Sequence, residues 1–173
     1  MENSRLSQLI ESLLFISGQP LSIGELVKLT GISRVEVIES IKKLKNYYDE
    51  KNGGILIIEI ALGYSMIANP EFSDTVKKMS DSVKTARLSM AALETLSIIA
   101  YKQPVTKAEI EQIRGVNADG TIKTLLDHRL IKITGRKEVV GRPLAYGTTL
   151  EFLQRFGLKN LSDLPTLKEF TKE

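Results

Sequence analysis

Gln19-Pro20-Leu21-Ser22-Ile23-Gly24-Glu25-Leu26 returns, 84 residues later, as Gln103-Pro104-Val105-Thr106-Lys107-Ala108-Glu109-Ile110. The same offset carries Gly31 onto Gly115 and Ile32 onto Val116. Just upstream, Ile10-Glu11-Ser12-Leu13 matches Leu93-Glu94-Thr95-Leu96 after a one-residue slip, and Glu71-Phe72 echoes Glu151-Phe152 at a shorter offset. Solenoid and propeller repeats have periods of roughly 20–50 residues. A period of 84 is the length of a small domain, so the 173-residue chain reads as a tandem duplication of one fold.

Working outward from the repeat gives the same order of elements twice. In the first copy Leu6, Leu9, Ile10, Leu13 and Ile16 lie at helical spacing, with Leu14 and Phe15 widening the stripe. Gly18 and Pro20 stop this helix. Ser22 and Glu25 form a capping box that starts a short helix, and Gly31 suits the left-handed position after it. Ser33 and Glu36 form a second box, opening a helix whose apolar set is Val37, Ile38, Ile41, Leu44 and Tyr48. Gly53-Gly54 ends it. Residues 55–60 and 64–67 are β-rich runs joined across Gly63.

The second copy repeats the plan. A helix runs from Leu88 to Tyr101, a capping box pairs Thr106 with Glu109, and Gly115 makes the turn. Asn117 caps a helix carrying Ile122, Leu125 and Leu126. A ribbon of residues 131–133 and 144–146 flanks a wing at 135–143. The expected fold class is mainly α with small antiparallel β-ribbons: two tandem winged helix-turn-helix domains. The expected division is an N-terminal domain at 1–80, a linker at 81–88, a C-terminal domain at 89–158, and a charged, partly disordered tail at 159–173. In that tail Leu158, Leu161 and Leu164 are candidate anchors, with disorder expected beyond Pro165. The polar stretch 77–85 serves as the linker or extends a helix of the first copy.

Composition excludes several function classes. With no Cys and a single His, disulfides, thiolate chemistry and zinc sites made of His and Cys fall away, and a cytosolic address fits. A signal peptide is not expected at Met-Glu-Asn-Ser-Arg, and no apolar run approaches the roughly 20 residues that span a bilayer. His128 stands between Asp127 and Arg129, helix neighbours that do not face it, so it reads as structural or surface. No nucleophile elbow or Walker-type loop appears. The expectation is a protein that is not an enzyme, with no cofactor and no metal.

The fold's usual use is DNA binding, and the sequence argues against it. Residues 1–80 carry nine basic and ten acidic side chains, and residues 81–173 carry fifteen and eleven, for a net charge of +3. That is milder than a dedicated DNA binder. A groove-reading helix needs Arg, Asn, Gln or Lys near its start. The first copy offers Arg34, Val35, Glu36, Val37, Ile38 and Glu39; the second offers Ala118, Asp119, Gly120, Thr121, Ile122 and Lys123, again poor for base reading. A DNA-binding transcription regulator is the rival reading, and direct DNA contact is expected to be weak and nonspecific at most. The wide apolar stripes, including Met90, Leu93, Leu96, Ile98 and Ile99, argue for protein partners. A homodimer contact is expected in the first helix at Leu6, Leu9, Ile10, Leu13 and Phe15, since isologous contacts are the commonest assembly.

Ala92-Leu93-Glu94-Thr95-Leu96-Ser97-Ile98-Ile99-Ala100-Tyr101-Lys102-Gln103-Pro104, Glu109 to Val116, Gly135-Arg136, Gly141-Arg142-Pro143-Leu144-Ala145-Tyr146, Thr148-Thr149, Phe152 to Leu158 and Leu161 to Pro165 together resemble the segregation and condensation protein B family. Ile10 to Pro20 is similar to that family's opening. The resemblance implies a non-enzymatic subunit of the bacterial condensin, cytoplasmic and associated with the nucleoid. It implies a homodimer formed through the N-terminal domains that binds the kleisin, segregation and condensation protein A (ScpA). The kleisin in turn bridges the ATPase heads of the structural maintenance of chromosomes (SMC) protein, and chromosome condensation and segregation follow. On that footing the kleisin-binding residues are expected among Tyr101, Lys102, Gln103, Pro104, Arg114, Arg142, Pro143 and Tyr146. Tyr and Arg are the types that most often dominate binding energy. For Pro104 and Tyr146 fold maintenance is the competing reading, and for Arg142 a contact between wing and backbone.

Overall fold

The computed structural model describes residues 2–80 and 88–166. The chain divides into two compact units, Met1–Lys84 and Thr85–Glu173. Each contains a winged helix-turn-helix, built from the same local signals.

In the first unit α1 (Glu2–Ser17), α2 (Ile23–Thr30) and α3 (Arg34–Lys51) precede a hairpin of β1 (Ile55–Ile60) and β2 (Gly63–Ala68). A 3-10 turn (Pro70–Phe72) and α4 (Ser73–Ser80) follow. The hairpin is antiparallel, pairing Ile55 with Ala68 and Ile60 with Gly63. Ser22 starts α2 because its hydroxyl accepts the Glu25 N–H at 3.2 Å while its own N–H donates to the Glu25 carboxylate at 2.8 Å. Gly31 closes α2 with φ 70°, a left-handed conformation that glycine adopts without a Cβ penalty. Leu21 then forms a single bridge to Tyr64, with both N–H···O bonds at 2.9 Å. That bridge needs glycine at 63: a Cβ there would lie 2.7 Å from the Leu21 carbonyl.

The core of this unit is Ile10, Leu14, Leu26, Val37, Ile41, Leu44 and Ile57. The apolar stripe of α1 is therefore rotated from the one the spacing predicts. Leu14, set beside the stripe by sequence, is buried, while Leu9 and Ile16 face solvent. Leu6 and Leu13 pack at the core's margin. At the end of α3 the left-handed residue is Asn52, φ 41°, rather than the Gly53-Gly54 pair. Of the expected linker, residues 81–87 lie outside the described residues, while 77–80 belong to α4.

In the second unit α5 (Met90–Lys102), β3 (Val105–Thr106), α6 (Lys107–Arg114) and α7 (Asp119–Asp127) lead into β4 (Ile131–Arg136) and β5 (Leu144–Thr148). Then come α8 (Leu150–Arg155) and a 3-10 turn (Leu161–Asp163). The sheet order is β3-β5-β4, all antiparallel, with a register shift between Ile133 and Gly135. The Val105–Tyr146 pairing is the counterpart of the Leu21–Tyr64 bridge, and Thr106 and Glu109 repeat the capping box of α2. Ile99, Ile110, Leu125 and Leu130 centre the core. The structure departs from expectation here: β3 makes the expected two-stranded ribbon a three-stranded sheet, and β4 and β5 run on to Arg136 and Thr148, past the expected ends at Ile133 and Tyr146. Ser89 caps α5, so this helix begins at Met90 and not at Leu88. Ala118 occupies the cap position of α7, while Asn117 accepts the Asp119 N–H at 3.0 Å from one residue further out. The tail residues 167–173 lie outside the described residues.

Candidate protein-interaction surfaces

The eight residues expected to bind a partner on the second unit divide into two sets. Gln103, Arg114, Pro143 and Tyr146 are engaged inside the unit. The Gln103 amide nitrogen donates to the Ala100 carbonyl at 3.1 Å and to Thr148 Oγ1 at 3.0 Å, and its oxygen accepts the Thr148 N–H at 2.8 Å. It thereby ties the end of α5 to β5. Gly147 makes room for it, because a Cβ there would sit 2.8 Å from Gln103 Oε1. The Arg114 side chain is 6% exposed, and its Nε donates to Glu94 at 3.1 Å. Tyr146 is buried in the central strand, and the half-buried Pro143 offers its carbonyl to the Lys137 N–H at 3.0 Å. The other four, Tyr101, Lys102, Pro104 and Arg142, are exposed.

Two clefts flank the exposed set. A cleft of about 430 Å³ opens between Gln103, Pro104, the β4 residues Thr134 to Arg136, and Leu161. A smaller one, about 170 Å³, runs between Leu93, Leu96 and Tyr101 of α5, Phe152 of α8, Phe156 just beyond it, and Leu164 of the tail. The Tyr101 hydroxyl donates to the Pro165 carbonyl at 2.7 Å. Leu161 and Leu164 are legible in the sequence as anchors. Phe156 as a cleft wall is not, because the pattern does not say which helix α8 packs against.

The wing's cations are largely paired within the unit. Lys137 Nζ contacts both Glu109 oxygens, at 2.7 and 2.8 Å. Arg142 pairs with Glu138 at 3.0 Å, and Arg136 Nη1 donates to the Arg142 carbonyl at 2.9 Å. The hydrogen bond from Lys137, followed by those from Thr106, holds the Glu109 carboxyl at a pKa of about 2. The wing–backbone contact weighed for Arg142 is not made by its side chain, which pairs with Glu138; the side chain that reaches wing backbone is that of Arg136.

On the first unit the five residues expected at a dimer contact also divide. Ile10 is fully buried in its own core, and Leu6 and Leu13 pack beside it. Leu9 and Phe15 are exposed, Phe15 by 71%, and Ile16, outside the expected set, by 82%. Phe15, Ser12 and Glu11 line a cleft of about 340 Å³ together with Tyr48, Ile55 and Met66. Tyr48 donates its hydroxyl proton to Glu11, and that bond, with burial, pushes the phenol up to about 12. Sequence reasoning missed this pair, for Glu11 and Tyr48 stand 37 residues apart and no local pattern links them.

The leading turns of the second helices in each helix-turn-helix expose Arg34, Val35, Glu36 and Glu39 on α3, and Asp119 and Gly120 on α7. Asp119 is paired with Lys107 at 2.5 Å. Carboxylates at this place repel phosphates. Among the described residues no group of three or more His, Cys, Asp or Glu side chains is placed to hold a metal, and no helix is long and apolar enough to cross a membrane.

Residues 8–167 match the family described as segregation and condensation complex subunit ScpB. A segregation and condensation protein B from Syntrophotalea carbinolica is 45% identical over 172 residues, covering 99% of this chain and 87% of that protein. Among solved structures, the crystal structure of ScpB from Mycobacterium tuberculosis is similar at 30% identity and a TM-score of 0.44. It covers 91% of this chain and 98% of that one. A crystal structure of a dimer of ScpB N-terminal domain complexed with ScpA peptide is similar at 21% identity and a TM-score of 0.43, over 46% of this chain and 99% of that one.

Proposed function

The chain belongs to the family of segregation and condensation complex subunit ScpB, and from that premise we propose that it acts as a homodimeric, non-enzymatic adaptor gripping the kleisin ScpA. Through the kleisin it serves the SMC ATPase at the nucleoid, in the cytoplasm. The N-terminal unit, residues 1–80, supplies the dimer contact through Leu9 and Phe15, with Ile16 beside them. The C-terminal unit, residues 89–158, receives the kleisin on the face carrying Tyr101, Lys102, Pro104 and Arg142. Gln103, Arg114, Pro143 and Tyr146 hold that face in shape.

The observation that carries this reading is the distribution of apolar surface. Phe15 and Ile16 on α1, and Tyr101 beside the clefts of the second unit, are presented to solvent. The turns that would read a DNA groove carry one cation, Arg34, among Val35, Glu36, Glu39 and Asp119. Large exposed apolar groups lose water when a polypeptide covers them, and exposed aromatic residues are the common anchors of such contacts.

The test is a pull-down with the middle segment of the kleisin, followed by native mass measurement. The expected species contains two copies of this chain with kleisin. Failure to retain the segment at micromolar concentrations would end the reading. Tyr101→Ala is expected to cost over about 1 kcal/mol of binding by calorimetry, as a hot spot should.

A further inference from the structure

We propose that the groove between α5 and α8 is a peptide-docking surface whose resident occupant is this chain's own Leu161–Pro165 segment. A partner segment of like chemistry, an apolar side chain beside an accepting carbonyl, enters only by displacing that occupant. The proposal rests on the reading above, that the face around Tyr101 receives the partner.

Leu164 is half-buried and lines the groove with Leu93, Leu96, Phe152 and Phe156. Beside it the Tyr101 hydroxyl donates to the Pro165 carbonyl at 2.7 Å, across 64 residues of sequence. Short-range bonds shape the segment in advance. Gly157 turns the chain off α8 with φ 69°, and the Leu158 N–H returns to the Leu153 carbonyl at 2.9 Å. Lys159 N–H donates to the Asp163 carboxylate at 2.9 Å, and Ser162 N–H to Asn160 Oδ1 at 2.8 Å.

Among the described residues, Leu161–Pro165 meets this groove through the Leu164 side chain and a hydrogen bond from an exposed hydroxyl. So small a contact is weak between separate molecules. Here it forms because a short tether gives the segment an effective concentration on the order of millimolar. The groove still holds about 170 Å³ of open space, room for more apolar side chain than Leu164 supplies. A partner with two apolar anchors therefore outcompetes the tail. A phenol has one proton to donate, so Tyr101 serves the tail or the partner at any moment.

The experiment uses the full chain with Leu164→Asp, with Leu164→Ala as a milder second variant, and two probes. A labelled peptide of residues 158–166 should bind the Leu164→Asp chain at least tenfold more tightly than the unaltered chain, read by fluorescence anisotropy. The kleisin middle segment should bind the variant about three- to tenfold more tightly, read by calorimetry. Equal peptide binding to both chains would overturn the docking surface. Unchanged or weakened kleisin binding, with circular dichroism and thermal midpoint intact, would overturn the displacement. Peptide binding without kleisin binding to either chain would support the docking surface and sink the partner reading. A peptide affinity for the unaltered chain that rises on dilution would show the tail arriving from a second copy, which overturns the resident occupant.

Discussion

Glu109 concentrates three tasks in one carboxylate. It completes the capping box of α6 by accepting the Thr106 N–H at 2.8 Å, accepts the Thr106 hydroxyl at 2.9 Å, and holds Lys137 from the base of the wing. Its folded pKa of about 2 lies below the ordinary 4.5, so the fold favours the ionised form. That contribution is complete above about pH 4.5 and is lost as pH falls towards 2. The carboxylate is 44% exposed, so solvent screens the lysine pair and the stability it contributes is small. Glu109→Gln keeps a capping-box acceptor and removes the charge that holds Lys137, so it should cost up to about 1 kcal/mol at pH 7, and urea denaturation should find the gap narrowing between pH 4.5 and pH 2. A gap independent of pH would contradict the assignment. Gly63 makes a steric prediction instead. An alanine methyl would meet the Leu21 backbone at 2.7 Å, while nothing lies within 4 Å of the same atom at Gly54. Gly63→Ala should cost about 1–3 kcal/mol and Gly54→Ala little, compared by thermal unfolding.

At the scale of elements, α1 faces two ways. Ile10 and Leu14 enter the core, and Leu9, Phe15 and Ile16 leave it. Substitutions on the two faces should separate folding from assembly. Ile10→Ala should destabilise the first unit by about 2–5 kcal/mol, the range for truncating a buried aliphatic side chain. Phe15→Asp should leave circular dichroism and thermal midpoint unchanged and convert dimers to monomers in sedimentation. Dimers persisting in a folded Phe15→Asp chain would move the contact to another face. Helix starts and stops that carry a capping box or a left-handed glycine are legible in sequence because they depend on neighbours. Ser22 with Glu25, Thr106 with Glu109, and the left-handed Gly31 and Gly115 all act within four residues. The rotated stripe of α1 was not legible, because a helix with apolar residues on more than one side leaves the buried side to whatever packs against it.

For the whole molecule, the proposed role asks the duplicated winged helix-turn-helix to grip protein, and the charges near its wing and second helices are mixed in sign. The wing's Lys137 and Arg142 pair with Glu109 and Glu138, and Glu36 and Glu39 are exposed near the start of α3. Titration with duplex DNA at about 150 mM salt should give no protected site and only binding that falls steeply as salt rises. A footprint on a defined sequence would restore the regulator reading. By itself the sequence determined the repeat, the order of the helices and the hairpin in each unit and the family, because repeats, caps and turn glycines are written in short stretches of chain; the short β3 that makes the second sheet three-stranded was not among them. Only the tertiary structure decided which candidate residues face outward. Gln103 reaches Thr148 across 45 residues, Arg114 reaches Glu94 across 20, and Tyr101 reaches Pro165 across 64. Each of these partners is chosen by packing between elements, and periodicity within one element holds no record of it.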